Sequence, residues 1–224
     1  MKILIAEFGN NPLGDINMAK EYIRIAKECG ATLCKGQAFL AKDISGSMPY
    51  AFYSKCEMLF DEYVELIDYG KTIDMPVFFS IFSKSYEPLS YHQEWHKIAG
   101  SQVELGFKEL TKKDTVKTIV SVPELSVLPP LKKSHILHVT PYMAEAPNYD
   151  VHGFLEQYYG RAIGLSCHCI GIEPAIEMVR SRQIDIVEKH FTLTRDVTFK
   201  GQVFRDALHA CLPNELEILA KEIT

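Results

Sequence analysis

A (β/α)8 barrel is the fold class this sequence predicts, and three observations carry it. Eight apolar runs of strand length recur along the 224 residues. They are rich in Val, Ile and Phe and mostly continuous rather than alternating, as strands buried on both faces are. Helical patterns separate several of them, which implies parallel strands joined by right-handed crossovers. About 28 residues per strand–helix unit make a compact barrel, near the small end of its class. With no repeat, low-complexity run or linker, residues 1–224 read as a single domain.

The predicted strands are Ile3–Phe8, Thr32–Gln37, Val77–Phe82, Trp95–Gly100, Val116–Val122, His135–Thr140, Ala162–Cys167 and Ile184–Lys189. Between the first two, Ile16–Cys29 carries Ala19, Ile23 and Ala26 at helical spacing, with Asp15 as N-cap and Gly30 just past the end. Phe60–Gly70 and Ile172–Arg182 read as helices too, with Pro174 tolerated in a first turn, and Pro213–Ile223 closes the chain. Pro129-Pro130 forbids a regular helix within Pro123–Ser134, so the outer helix between strands five and six is expected to be missing. Ala38–Cys56 is a long insertion after strand two, read as a surface loop rather than a lid or partner contact.

Composition narrows the function classes. A formal charge of −5 offers no footprint for nucleic acid. No apolar run approaches the ~20 residues of a membrane span, and the first is stopped by Glu7 without a cleavage-type flank. A cytoplasmic protein is the expectation. The six scattered cysteines form no disulfide pattern and read as small buried hydrophobes.

Chemistry is sought at the carboxyl ends of the strands, where barrels of this class bind metals and substrates. The seventh and eighth predicted strands each run into a histidine, His168 and His190, 22 residues apart. Consecutive parallel strands would put both imidazoles at one end of the sheet, as a metal-binding pair or as two satisfied core histidines. Cys167 and Cys169 flank His168, but on an extended strand both point away from its face, which argues against a Cys-His-Cys ligand set. The other strand ends offer Glu7, Lys35, Gln37, Ser80, Ser83, Lys97, Ser121, Thr140, Tyr142, Ser166 and Lys189. Lysines inside a barrel mouth are costly unless paired with an anion, so Lys35 and Lys97 suggest a phosphate or carboxylate substrate. Each alone reads equally well as a snorkelling surface residue. Two imidazoles and a carboxylate are adequate ligands for a divalent ion acting as a Lewis acid. Glu7 would bind that ion, orient its waters or act as a general base.

Several motifs resemble the sialic acid synthase family, which includes N-acetylneuraminate synthase. They are Ile163-Gly-Leu-Ser-Cys-His168-Cys-Ile-Gly-Ile-Glu173 and Val187-Glu-Lys-His-Phe-Thr-Leu193. Weaker matches are Ile5-Ala-Glu-Phe-Gly-Asn-Asn11, Cys34-Lys-Gly-Gln37, His96-Lys-Ile-Ala-Gly100 and Phe204-Arg-Asp206 with Pro213-Asn-Glu-Leu216. The resemblance covers the chain from Ile3 to about Leu219. It implies metal-dependent condensation of phosphoenolpyruvate with an N-acetylated aldose, giving a nonulosonic acid and phosphate. It places His168 and His190 on the ligands of a divalent ion, manganese or magnesium. Glu7 and Asp206 fall on catalytic carboxylates, and Lys35, Gln37, Ser80, Lys97, Ser121, Tyr142 and Ser166 on substrate-binding positions.

The departures are specific. Pro12 replaces a family histidine, Gly100 a serine and Gln102 an acidic residue. Ser121-Val-Pro-Glu124 and Val139-Thr-Pro-Tyr142 differ from the phosphoenolpyruvate loops, and Ala207 stands where a histidine follows the aspartate. The C-terminal antifreeze-like domain of the family, which completes the partner subunit's sugar site, is not found. The oligomeric state is left open, with a homo-oligomer or a separate partner subunit as the alternatives. The thinned substrate site also keeps open a catalytically silent barrel acting as a regulatory or binding subunit.

Overall fold

The computed structural model describes residues 2–44, 50–99, 117–122, 135–159, 163–182, 184–196, 198–199, 202–203 and 205–223. Eight parallel strands close on themselves in chain order: β1 (Ile3–Gly9), β2 (Leu33–Ala38), β3 (Val77–Ile81), β4 (Trp95–Ile98), β5 (Lys117–Val122), β6 (His135–Val139), β7 (Gly164–Cys167) and β8 (Ile186–His190). The expected barrel is present, with strand ends displaced by one or two residues. The described helices are α1 (Ile16–Glu28), α2 (Tyr50–Cys56), α3 (Phe60–Thr72), α4 (Tyr149–Tyr159), α5 (Glu173–Arg182), α6 (Arg205–His209) and α7 (Pro213–Ile223). A two-stranded hairpin, β9 (Thr198–Phe199) with β10 (Gln202–Val203), precedes α6. The predicted helix gap between β5 and β6 lies outside the described residues.

Side-chain alternation divides each strand between two cores. One face of α1, α3, α5 and α7 packs on outward residues such as Leu4, Ala6, Phe8, Val77, Phe79, Leu165 and Val187. Asp15 caps α1 as expected, accepting from the amides of Asn17 at 2.8 Å and Met18 at 3.0 Å. The opposite parity points inward. Ile3, Ile5, Leu33, Phe78, Trp95, Ile119, Leu137 and Ile186 form a dry floor across the barrel. The next inward positions toward the carboxyl end are Glu7, Lys35, Ser80, Lys97, Ser121, Ser166 and Glu188, all buried. Period-two alternation thus stacks a polar layer directly on an apolar one.

Gly164 shows how tightly the interior is filled. A Cβ there would lie 2.4 Å from Leu137 Cδ2 and 2.7 Å from the Ile186 carbonyl oxygen. Backbone cannot yield cheaply, so Gly164→Ala is expected to destabilise the fold by about 1–3 kcal/mol. Denaturant unfolding measures this, and an unchanged midpoint would contradict the packing described.

The 38–56 insertion differs from the surface loop expected. A short 3-10 turn at Ala41–Asp43 and α2 fold over the mouth, where Phe39, Phe52 and Cys56 pack against Ala207. Aromatic residues within the insertion supply the apolar area that a plain loop lacks. No helix among the described residues is long and apolar enough to cross a membrane.

Candidate active site

Four buried charges occupy the polar layer. Lys35 Nζ lies 2.9 Å from Glu7 Oε1 and 3.4 Å from Glu188 Oε1, while Lys97 Nζ donates to Glu188 Oε1 at 2.5 Å. Ser166 Oγ donates to the same Glu188 oxygen at 2.8 Å. Gln37 Nε2 donates to Glu7 Oε1 at 3.1 Å, and Gln37 Oε1 accepts from Asn10 Nδ2 at 3.2 Å. Pairing of adjacent strands brings these groups together, with Glu7 opposite Lys35 and Ser166 opposite Glu188.

Burial pushes Glu7 and Glu188 up, but the two ammoniums outweigh it and both carboxyls stay below their ordinary value. Burial pushes Lys35 down, and the two carboxylates more than reverse that. Lys97 ends lower, at about 8, because burial and repulsion from Lys35 outweigh the upward pull of Glu188 and Glu7.

Above this layer three imidazoles converge. Ring centroids are 5.2 Å apart for His168–His190, 5.4 Å for His168–His209 and 4.6 Å for His190–His209. One nitrogen from each ring lies within 4.8 Å of the others. His168 sits just past β7, with its amide bonded to Thr140 Oγ1 and its Nδ1 3.0 Å from the Thr140 carbonyl oxygen. That oxygen only accepts, so Nδ1 carries the proton and Nε2 keeps its lone pair. His190 Nε2 lies 3.5 Å from Glu7 Oε2, and its Nδ1 has no hydrogen-bond partner among the described residues. Burial lowers the pKa of all three histidines, and the mutual repulsion of neighbouring rings lowers His190 and His209 further. They are neutral at pH 7, the protonation state in which imidazole ligates a metal.

Two more predicted residues join the rim. Tyr142 Oη donates to Asp206 Oδ1 at 3.2 Å. Gly9, at φ +52°, turns the end of β1 so that a Cβ there would meet both the His190 ring and Asp206 Oδ2 within 3.7 Å. Ser80 and Ser121 are buried on the inner face, and neither hydroxyl has a hydrogen-bond partner among the described residues. All eleven predicted site residues therefore lie in this one mouth or its inner layer.

Lys189 does not belong to it. Opposite parity to Glu188 and His190 sends its side chain into the outer layer, where Nζ donates to the Cys169 carbonyl oxygen at 2.5 Å and approaches Cys167 Sγ at 3.7 Å. Cys167 and Cys169 pack in that same outer core, as strand parity predicts. Gly100, Gln102 and Glu124 lie outside the described residues. Glu188 and His209 are the functional candidates that sequence reasoning missed.

No family model matches the chain. It is 24% identical over 213 residues to an uncharacterized protein of Methanocaldococcus jannaschii, covering 87% of this chain and 63% of that protein. The chain thus spans less than two thirds of the length of that curated relative. A crystal structure of N-acetylneuraminic acid (sialic acid) synthetase from Leptospira borgpetersenii superposes with a TM-score of 0.82 over 99% of this chain and 82% of that one, at 23% identity. The barrel has the sialic acid synthetase fold. A spore coat polysaccharide biosynthesis protein of Bacillus subtilis gives 0.81 over 99% and 67%, at 22% identity. Tryptophan synthase from M. tuberculosis, a more distant likeness, gives only 0.63 at 9% identity. The resemblance in the sequence motifs is thus matched by synthetase-type architecture over nearly the whole chain.

Proposed function

We propose that this barrel condenses phosphoenolpyruvate with the open-chain aldehyde of an N-acetylated aldose, releasing phosphate and a nonulosonic acid. The observation that carries the reading is the pairing of two unlike sites in one mouth. Partnerless buried hydroxyls of Ser80 and Ser121 stand on the strands either side of Lys97, and the same inner face ends in orphaned imidazole nitrogens. Unmet donors beside an ammonium suit an anion, and unmet nitrogen lone pairs suit a cation.

A divalent ion fits the donors present: His168 Nε2 has its lone pair directed by Thr140, and His190 Nδ1 is buried without a partner. When bound, it would supply Lewis-acid polarisation of the aldehyde oxygen. Lys97 and Lys35 would hold the carboxylate and phosphate of phosphoenolpyruvate, with the Ser80 and Ser121 hydroxyls, and Ser166 on turning from Glu188, donating to their oxygens. Carbon three bonds to the aldehyde carbon, the aldehyde oxygen takes a proton, water adds at carbon two and phosphate departs. Asp206, braced by Tyr142, is placed to manage that proton. Glu7 is held ionised between Lys35 and Gln37, which makes it a weak base; its part is to orient His190 and water.

Phosphate release from phosphoenolpyruvate across a panel of N-acetylated aldoses, with Mn2+ or Mg2+ supplied, tests the reading. No release with any sugar would overturn it. One observation favours a second reading, a barrel that binds metal without condensing anything. Both mouth lysines are already satisfied by glutamates, so neither requires a substrate. Metal binding without phosphate release would support that case.

The proposed anion site also has a pH signature. Lys97 carries its charge below its pKa and loses it above, so anion binding weakens as pH rises. The value of kcat/KM for phosphoenolpyruvate is expected to fall about tenfold per pH unit beyond about 8. A profile flat to pH 9.5 would remove Lys97 from the role.

A further inference from the structure

We propose that His209 is a third protein ligand to the ion held by His168 and His190, giving a three-imidazole centre that prefers zinc-like metals to magnesium or manganese. This rests on the metal-assisted reading of the mouth and concerns which ion the chain selects.

His209 lies at the end of α6, a five-residue helix, and strand addition places it. Past β8 the chain makes a parallel bridge, Phe191 with Cys211. The Cys211 amide donates to the His190 carbonyl oxygen at 2.7 Å, and the Thr192 amide to the Cys211 carbonyl at 2.9 Å. Two residues before that bridge, His209 is carried over the His190 ring, with ring planes at 85°. The position is fixed by backbone hydrogen bonds rather than by a loose loop.

Its surroundings satisfy nothing polar. His209 is 0% exposed, and among the described residues neither Nδ1 nor Nε2 has a hydrogen-bond partner. Leaving a buried polar group unmet costs about 1–3 kcal/mol, so a purely structural role suits Phe or Leu better. Tyr142 packs edge-on against it at 4.5 Å, which holds the ring but uses neither nitrogen. A cation with nitrogen bonds of about 2.0–2.1 Å spaces its ligands by about 3.3 Å. From an upper limit of 4.8 Å, the three nitrogens need to close by no more than about 1.5 Å, within reach of side-chain rotation. Magnesium and manganese suit carboxylate and water oxygens, whereas imidazole nitrogens favour Fe2+, Co2+, Ni2+ and Zn2+.

The test counts ligands directly. Wild-type protein loaded with Co2+ should show three hyperfine-shifted, exchangeable imidazole N–H protons by NMR, one per ligating histidine. His209→Ala should show two, and should weaken Zn2+ by at least the roughly 100-fold that losing an outer orienting partner costs, with a smaller loss for Mn2+. Two such protons in the wild type would overturn the third ligand while leaving a two-histidine site standing. An unchanged ratio of Zn2+ to Mn2+ affinity in the variant would do the same. Failure of wild type to bind Co2+, Zn2+ or Mn2+ would remove both this proposal and the metal-assisted reading. The wild-type count stands whether or not the variant folds.

Discussion

Replacing Glu188 with Ala is expected to destabilise the protein by about 3–5 kcal/mol, the cost of breaking a buried ion pair by removing one partner. Glu188 is 2% exposed and its Oε1 receives Lys97, Lys35 and Ser166 at 2.5, 3.4 and 2.8 Å. Without it, two buried ammoniums share Glu7 alone, and Lys97 loses its close carboxylate partner. In a chain of this size such a loss lowers the melting temperature by roughly 6–20 °C. The remedy separates charge from volume: adding Lys97→Met to Glu188→Leu should recover most of the stability, since well-packed apolar replacements of buried pairs are often neutral or better. Calorimetric or denaturant unfolding reads both. A Glu188→Ala protein as stable as wild type would mean that the four charges are not held together as described.

Removing the metal is expected to raise the dissociation constant for phosphoenolpyruvate by more than about 100-fold, and His190→Ala to do the same while abolishing phosphate release. Two lysines and two glutamates cancel in the inner layer, and the three neutral imidazoles add no charge. The empty mouth therefore offers a multiply charged anion little net attraction. At an effective dielectric near 20, one pair of unit charges about 5 Å apart contributes about 3 kcal/mol, and a divalent ion supplies two positive charges. Titration calorimetry of phosphoenolpyruvate with and without a chelator measures the coupling. Equal affinity in both conditions would place the anion's countercharge in the protein alone, and the metal elsewhere.

The barrel was legible because its strands are marked by apolar runs and Gly/Pro boundaries, and because parallel strands fix where their ends meet. His168 and His190 followed from that rule, since each ends or directly follows a strand. Parity alone separated Cys167 and Cys169 from the mouth, and applied to Ile186–His190 it also pairs Glu188 with His190 and excludes Lys189. Glu188 is not marked by its position as the strand ends are, because it lies one inward step below the end. The lysines were correctly placed inside the barrel, but their first partners are glutamates of the same layer. His209 carried no such signal. It lies on a short helix after a hairpin, and only the Phe191–Cys211 bridge brings it to the histidines. The packing of the aromatic insertion at 38–56 is not legible in the sequence because its partner, Ala207, is some 150 residues away.

The apolar floor beneath the charged layer has a further consequence. Ile5, Phe78, Trp95, Ile119 and their neighbours close the barrel beneath the charged layer, so among the described residues that layer is approached through the mouth at the carboxyl end. Lys97, Ser80 and Ser121 lie within it, while Tyr142, His168 and Asp206 keep partial solvent access at its lip. Approach from that end alone would make traffic last in, first out. On the proposed chemistry the anion has to load before the sugar, and the sugar-derived product has to clear the lip before the spent phosphate can leave.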